Sequence, residues 1–382
     1  MSEWKKVKLG EICERVTSGG TPKANVSSYY NPPTIPWLKT KEVNYCRITE
    51  TENYISEEGL KNSSAKLISP NSVIIAMYGQ GDTAGRIAIN KIPLATNQAC
   101  CNLTIDKSKA DYEFIYYQLC TLYDKLVSLK AGAAQPNLNA RIIKNLEIIM
   151  PSLPIQHRIA SILSRYDSLI ENYQKQIKLF GEAAQRLYKE WFIDLHFPGH
   201  ENTNIIDGVP EGWEKKKVGD ITPIITGKKD ANFGTPDGEY PFFTCSQEPI
   251  KAPSFSFDCA AVLLAGNGDF NVKLYRGRFE AYQRTYVLSP YIDSHLYLLF
   301  YTISANMTKL AAGSSGSTIK FLTKGMIDGI NLNVPNDEIL RSFNKKVEPI
   351  QSSRESLQSQ LRLLTEARDR LLPKLMSGEI TI

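Results

Sequence analysis

Polar and basic side chains recur in loops rich in glycine, asparagine and serine, in both halves of the chain. Arginine can make two hydrogen bonds to guanine, and glutamine or asparagine can make two to adenine. Lysine and the backbone N–H groups of glycine loops suit phosphates. A single loop of this kind is more often a solvated turn, so the prediction of DNA contacts depends on its recurrence in both halves.

The candidate DNA-binding residues of the first half are Thr17, Ser18, Lys39, Lys41, Arg86, Asn97, Gln98 and Gln135. Those of the second half are Lys228, Lys229, Lys273, Gln283, Arg284, Ser314, Ser315 and Lys320.

Motifs that could indicate catalysis are incomplete. Asn31–Pro33 resembles the start of the catalytic tetrapeptide of amino-methyltransferases, but that motif ends in an aromatic residue that stacks on a flipped base. Here the fourth residue is Thr34, which favours a simple turn. The glycine pairs within 79–81 and 266–268 follow strand-like runs, yet neither completes a dinucleotide fingerprint or a phosphate loop. The sequence therefore predicts no catalytic site and no bound cofactor.

Composition sets further limits. A chain of 382 residues is expected to form two or more domains. The net charge of +5, from 45 basic and 40 acidic residues, permits nucleic-acid binding without demonstrating it. No apolar run approaches the ~18 residues that a membrane span needs, and the first residues do not form a secretory signal. These features predict a cytoplasmic protein with no membrane partner.

Cysteine and histidine usage argues against disulfides and metal sites. The seven cysteines are odd in number and contain no Cys-x-x-Cys pair, so reduced thiols are expected. His196 and His200 have the spacing of a metal-binding pair on a helix. Pro198 and Gly199 lie between them and disfavour a helix, so no zinc site is expected.

The chain repeats itself with a period near half its length. Five landmarks recur in the same order: a tryptophan before an apolar-Gly-acidic-Ile motif, a β-like run before a Gly-x-Gly-Asp loop, a residue pair ending in glutamine, a small-residue segment, and a β-like run that ends in proline. The paired glutamines are Gln98 and Gln283, and the closing prolines are Pro151 and Pro335. Such a repeat predicts two copies of one domain.

A long helical pattern follows each proline. Apolar residues step by four and three from Ile159 to Trp191, and again from Leu340 to Leu375, as in a heptad seam. At ~1.5 Å per residue each helix would be roughly 55–60 Å long. Arg354 and Arg368 occupy seam positions, and Pro349 predicts a kink or a late start of the second helix.

The predicted fold is therefore of the α+β class, with two repeated mixed α/β domains separated by two long helices that pack as an antiparallel coiled coil. The glycine- and proline-rich segment 196–212 has no periodicity and is expected to be a linker. The expected order is a globular domain over 1–152, a central helix over 153–195, the linker, a globular domain over 213–335, and a C-terminal helix with its tail over 336–382.

Several segments resemble the specificity (S) subunits of bacterial type I restriction-modification systems. The central helical region is similar from Pro151 through Asp167 to Trp191. The junction 207–213 looks like the family's entry into its second recognition domain, and 368–380 looks like its C-terminal helix. The resemblance covers the whole chain, while the globular domains match only in outline.

This resemblance implies a division of labour. Residues 1–152 and 213–335 would be target-recognition domains, each reading one half of a bipartite, asymmetric double-stranded DNA target. The helices would set the spacer and dock two methyltransferase (modification) subunits, and restriction subunits would add ATP-driven translocation and cleavage. S-adenosylmethionine, ATP and magnesium would belong to those partners, so the chain itself would be a non-catalytic subunit that needs no cofactor.

Two alternatives from other classes of function remain open at this point. One is a stand-alone DNA methyltransferase or nuclease with divergent motifs, which crosslinking of labelled S-adenosylmethionine to the isolated chain would support. The other is a coiled-coil scaffold for proteins, which binding that ignores DNA sequence and salt would favour.

Overall fold

The computed structural model describes residues 4–130, 137–314, 320–380 and 382. The chain forms two compact units. Unit 1 contains residues 1–172 and 360–382, and unit 2 contains residues 173–359. Each of the two longest helices therefore begins in one unit and ends in the other.

Unit 1 is built around a β-sheet and a short helical layer. Its strands are β1 (Lys5–Lys8), β2 (Cys13–Ser18), β3 (Ile35–Leu38), β4 (Cys46–Ile48), β5 (Tyr54–Ile55), β6 (Leu67–Ile68), β7 (Val73–Ala76), β8 (Ile87–Asn90), β9 (Leu94–Thr96), β10 (Cys100–Ile105) and β11 (Glu147–Met150). Its shorter helices are α1 (Glu57–Lys61), α2 (Tyr112–Cys120), α3 (Tyr123–Ser128) and α4 (Ala140–Lys144).

The main sheet of unit 1 has the order β2-β10-β7-β8-β4, and a smaller sheet has the order β5-β3-β9-β6. Strands β7 and β8 are buried throughout, in agreement with the apolar runs 73–76 and 87–89; the buried Asn90 ends β8. Strand β1 pairs with β11, so the start of the unit is joined to the residues just before the central helix. The side chains of α2 fill the core against the main sheet.

Unit 2 repeats this plan with a longer central hairpin. Its strands are β12 (Ile205–Ile206), β13 (Val209–Pro210), β14 (Glu214–Lys217), β15 (Ile225–Thr226), β16 (Tyr240–Phe243), β17 (Ile250–Ala252), β18 (Phe257–Ala265), β19 (Val272–Ala281), β20 (Thr285–Leu288) and β21 (Asn331–Val334). The main sheet has the order β15-β20-β18-β19-β16-β17.

The repeat predicted from sequence is visible in the strand pairing. The β14–β21 pair of unit 2 corresponds to the β1–β11 pair of unit 1. An equivalent backbone hydrogen bond follows the first strand of each pair. Leu9 N–H donates to Leu146 O at 2.9 Å, and Val218 N–H donates to Ile330 O at 2.9 Å. The predicted fold class, with two mixed α/β repeats and long helices, is confirmed.

Two long helices complete the chain. In sequence order, α5 spans Leu153–Tyr188 and continues as one π-helical segment over Lys189–Ile193. Unit 2 then contributes the short α6 (Val218–Ile221), α7 (Leu296–Gly313) and α8 (Lys324–Asp328), before α9 spans Asp337–Ser377. Short 3₁₀ turns lie at Leu9–Ile12, Ser27–Tyr29, Thr40–Glu42, His200–Asn202, Ala231–Phe233 and Asp293–His295.

The seams of α5 and α9 pack against each other. In unit 1, Asp167 of α5 is bonded to Arg368 near the end of α9 at 2.9 Å. In unit 2, the rings of Trp191 and Phe343, near the end of α5 and the start of α9, lie 5.9 Å apart. Early residues of one helix thus meet late residues of the other, so the two helices run antiparallel.

The prediction of a late start of the second helix at Pro349 is wrong. Helix α9 begins at Asp337, and the side chain of Asn336 caps it by accepting from Ile339 N–H at 3.0 Å. Proline removes one backbone N–H from a helix. Because Pro349 is exposed, water can satisfy the carbonyl group that loses its partner, and the buried seam residues continue on both sides.

The segment over 196–212 carries local structure. Strands β12 and β13 form a short hairpin, and Phe197 is buried with its ring 4.7 Å from that of Trp213. Within the described ranges, no helix combines the length and apolar character that a bilayer crossing requires.

Candidate nucleic-acid interface

One end of the main sheet of unit 1 collects most of the first-half candidates. Strand β10 begins there, opposite the ends of β2 and β7, with Ser18 paired to Cys101 and Ala76 paired to Cys100. Strands β8 and β4 are parallel and also begin there. We call this edge loop end 1 and define it as residues 17–21, 39–45, 77–86 and 97–99.

The turn at 97–99 lies at the centre of loop end 1. Gln98 is exposed, and the hydroxyl of Thr21 donates to its amide oxygen. Gly19 lies directly against this turn, because an added Cβ would stand 2.2 Å from the carbonyl oxygen of Asn97. Only glycine permits that approach, so the loop after β2 and the turn before β10 form one surface.

The basic candidates of loop end 1 have acidic or polar neighbours. Lys39 Nζ donates to Asn53 Oδ1 at 2.9 Å, and Lys41 pairs with Glu52, which raises the pKa of the Lys41 ammonium. Arg86 pairs with Asp82, and this hydrogen bond lowers the pKa of the Asp82 carboxyl. The Lys41–Glu52 pair is exposed on both sides and such pairs are weak in water, so Lys41 can also interact with a phosphate.

Two backbone hydrogen bonds hold the 97–99 turn and a third holds Met77 beside it, and three equivalent bonds lie at the 282–284 turn of unit 2. In unit 1 they are Asn97 N to Leu38 O at 3.0 Å, Met77 N to Ala99 O at 2.7 Å, and Leu138 N to Met77 O at 3.0 Å. In unit 2 they are Tyr282 N to Phe243 O at 3.0 Å, Gly266 N to Arg284 O at 2.8 Å, and Leu322 N to Gly266 O at 2.8 Å.

These bonds define loop end 2, which consists of residues 226–230, 244–248, 266–273 and 282–284. Its glycine contact also repeats, since a Cβ on Gly227 would lie 1.9 Å from the carbonyl oxygen of Ala281. The backbone bonding around the two turns is therefore equivalent while the side chains differ: Asn97 corresponds to Tyr282, and buried Ala99 corresponds to exposed Arg284. Such an arrangement can present different hydrogen-bonding groups from one framework.

The second-half candidates differ in how free they are to bind a ligand. Gln283 and Arg284 are exposed, and Gln283 Nε2 lies 3.4 Å from Asp230 Oδ2. Lys229 Nζ lies 4.3 Å from the ring centre of Phe233. Lys273 is partly buried, donates to Ser246 O at 2.8 Å, and has its pKa lowered by that burial. Its hydrogen bond and its burial indicate that Lys273 stabilises the loops rather than binding a ligand.

The remaining candidates lie at the margins or outside the described residues. Thr17 and Ser18 belong to β2 and are partly buried. Lys228 and Lys320 are exposed, and the Ser314 hydroxyl donates to Ala311 O at 2.7 Å. Gln135 and Ser315 fall outside the residues that the structure describes. Leu138 and Leu322, which follow them in the sequence, donate to Met77 of loop end 1 and to Gly266 of loop end 2.

A buried ion-pair network that the loop patterns did not predict joins the sheet of unit 1 to both long helices. Arg47 of β4 contacts Asp167 of α5 at 2.8 Å and the hydroxyl of Tyr117 at 2.8 Å. The same carboxylate accepts from Tyr117 at 2.5 Å and from Arg368 of α9 at 2.9 Å. Burial raises the pKa of Tyr117, so its hydroxyl stays a donor.

The motifs with catalytic or metal-binding character remain isolated. Residues 31–33 are exposed. The rings of His196 and His200 lie 5.3 Å apart, with Gly199 at φ +87° between them. Among residues 4–130, 137–314, 320–380 and 382, no cluster of three or more His, Cys, Asp or Glu side chains could hold a metal ion.

Comparison with known proteins defines the class. The family model for the type I restriction modification DNA specificity domain matches residues 1–179 and 210–353. A type I restriction enzyme specificity subunit, MjaIX of Methanocaldococcus jannaschii, is 27% identical over 416 residues, covering 100% of this chain and 94% of that protein. The EcoDI specificity subunit of Escherichia coli is 36% identical over 177 residues, or 45% of this chain and 40% of that protein.

A solved structure agrees in fold. The S subunit of a type I restriction-modification system from M. genitalium superposes with a TM-score of 0.70 at 17% identity, covering 98% of this chain and 96% of that one. The two stretches matched by the family model fall on the two repeats. The chain belongs to the family of type I restriction-modification specificity subunits, as the resemblance in its sequence predicted. Membership of this family assigns it the role of a specificity component that carries a DNA target-recognition domain, rather than that of an enzyme in its own right.

Proposed function

We propose that this chain reads a bipartite, asymmetric DNA target, one half with residues 1–152 and the other half with residues 213–335. Loop end 1 and loop end 2 would contact the two half-sites. The protein would work in the cytoplasm, where it meets the chromosome.

The observation that carries this proposal is the duplicated backbone framework with unequal side chains. Equivalent hydrogen bonds hold the 97–99 and 282–284 turns, yet the first presents Asn97 and Gln98 while the second presents Gln283 and Arg284. Glutamine suits adenine and arginine suits guanine. Two copies of one reader with different side chains would recognise two different sequences, which is what an asymmetric target requires.

The long helices would act as the spacer between the half-sites and as the docking site for two methyltransferase subunits. Helices α5 and α9 pair along their buried seams, which leaves their other faces exposed. Restriction subunits would join the same complex. The methyltransferase and endonuclease chemistry, with S-adenosylmethionine, ATP and magnesium, would belong to these partners.

A change in the helix length tests the spacer role. One heptad inserted in register into both α5 and α9 lengthens each by about 10 Å, close to three base pairs at ~3.4 Å each. The two half-sites should stay the same while the gap between them grows. If the helices serve only to fill a core, the insertion should unfold the protein or leave the spacing unchanged.

Salt dependence tests DNA binding itself. If the assembled complex neutralises about ten phosphates, log K should fall with a slope near −9 against log salt. The complex of this chain with its methyltransferase subunits is titrated with labelled duplex at several salt concentrations. Affinity that does not change between low and moderate salt would contradict a DNA-reading role.

A further inference from the structure

Tyr45 has an uncommon conformation at an exposed place. Its backbone has φ +52°, a region that aromatic residues rarely occupy, and 39% of the residue is exposed. Its N–H donates to Ile87 O at 2.8 Å, which fixes it at the start of β4. Backbone strain of this kind concentrates at functional sites.

The ring of Tyr45 is held by neighbours in the same loops. It packs edge-on against Tyr123, with ring centres 6.4 Å apart and planes at 68°. The hydroxyl of Tyr123 donates to the carbonyl of Asp82 at 2.9 Å, and Arg86 pairs with the carboxylate of Asp82. Tyr45, Tyr123 and Arg86 thus form one surface, which we call the tyrosine-arginine patch.

The patch lies at one edge of loop end 1. Across that end of the sheet the strand order is β2, β10, β7, β8 and β4. With strands ~4.8 Å apart, the distance from Ser18 to Tyr45 is about 19 Å. This is the length of roughly five or six base pairs of duplex at ~3.4 Å each. A duplex read by the central 97–99 turn would therefore extend across the patch.

We propose that Tyr45 and Arg86 bind the DNA sugar-phosphate backbone beside the bases that the 97–99 turn reads, with the Tyr45 hydroxyl donating to a phosphate oxygen and the Arg86 guanidinium neutralising its charge. This inference rests on the proposed function. The proposal adds Tyr45, which was not a candidate from the sequence because no sequence pattern indicates its unusual φ.

The chemistry of the patch fits a phosphate rather than a base edge. Partial burial raises the pKa of Tyr45 to about 12, so its hydroxyl carries a proton that it can donate. Among the described contacts, Arg86 uses Nη2 for Asp82, and a guanidinium has further N–H donors for a second acceptor. Contacts to phosphates position a protein on DNA without selecting sequence.

Binding by the assembled complex tests the proposal. The probes are two labelled duplexes, one with the site found methylated in the strain and one with that site scrambled. Tyr45→Phe removes only the hydroxyl, and we expect about tenfold weaker binding to both duplexes, equal to about 1.4 kcal/mol. Arg86→Ala should also reduce the salt slope by about 0.9, since it removes one phosphate contact.

Two matched variants control for exposure and backbone strain. Tyr291→Phe alters an exposed tyrosine beyond the other end of β20, away from loop end 2. Asn71→Gly relieves a positive φ of +66° at the opposite end of β7, where Asn71 N–H donates to Asn90 O at 2.7 Å. Both variants should bind both duplexes as the unchanged complex does.

The outcomes separate this inference from the proposed function. Unchanged binding by Tyr45→Phe and Arg86→Ala, with a steep salt slope for the parent complex, overturns the patch alone. A loss restricted to the cognate duplex makes Tyr45 a base contact, and failure to assemble with the methyltransferase subunits makes it a protein contact. Either result overturns the assignment of Tyr45 to the DNA sugar-phosphate backbone. If the DNA affinity of the parent complex does not depend on salt, the proposed function itself is overturned.

Discussion

Replacement of Asp167 by asparagine should destabilise unit 1 strongly. The carboxylate is 7% exposed and is bonded to Arg47, Tyr117 and Arg368, and the Arg47 side chain is also 7% exposed. Removing one partner of a buried ion pair costs about 3–5 kcal/mol, because the other charge stays buried without compensation. Glu113 and Glu171 remain 3.5 and 3.4 Å from Arg47, so the lower value applies.

A loss of about 3 kcal/mol corresponds to a fall of about 6–12 °C in Tm for a unit of this size. Differential scanning calorimetry measures the shift. Asp369→Asn is the matched control, because Asp369 also pairs with Arg368 but its side chain is 57% exposed. Its loss should stay within about 1 kcal/mol.

A double variant tests the cause of the effect. If the damage comes from the uncompensated Arg47 charge, then Arg47→Met combined with Asp167→Asn should lose less than the sum of the two single changes. Additive losses, or a Tm for Asp167→Asn equal to that of Asp369→Asn, would refute the argument from a buried network.

Three further outcomes follow from the structure. Gly227→Ala should displace the 282–284 turn, since its Cβ would lie 1.9 Å from a carbonyl oxygen, and should weaken DNA binding by the complex in mobility-shift assays. Gly325→Ala is the control: its Cβ has open space, so the complex should bind DNA normally. Burial lowers the pKa of His295, so the folded chain takes up this proton at lower pH than the unfolded chain does. Stability measured by urea unfolding should therefore fall as pH drops below the ordinary value near 6.5, and a pH profile unchanged by His295→Gln would contradict this. Gln98→Ala and Arg284→Ala should each cost roughly 1–3 kcal/mol on the cognate duplex and relax one base position, whereas equal loss on every sequence would make them phosphate contacts.

The sequence was sufficient to predict the repeat, the fold class and the antiparallel helices, because each depends on local patterns that recur. The apolar steps of four and three identify α5 and α9, and the paired landmarks identify equivalent strands such as β11 and β21. Pro349 misled the prediction of a late start, because this residue is exposed and water can replace the hydrogen bond that the helix loses there.

The candidate site could be predicted only in part. Gln98 and Gln283 were found because they recur at equivalent turns, and the structure places both at exposed positions. The network around Asp167 joins residues from 50 to 201 positions apart, and no local pattern encodes such contacts. The sequence did not predict Tyr45 as a DNA contact, because nothing in the residue type indicates the positive φ that the structure gives it.

The most direct test of the central claim is methylome sequencing of a strain that carries a hybrid subunit. Residues 1–152 are replaced by the matching domain of another specificity subunit, and the methyltransferase subunit is supplied with it. Two independent readers should give a target in which one half-site changes, while the half-site set by residues 213–335 and the spacer stay the same. A hybrid that folds, assembles and methylates DNA but changes both half-sites would contradict independent reading by the two units.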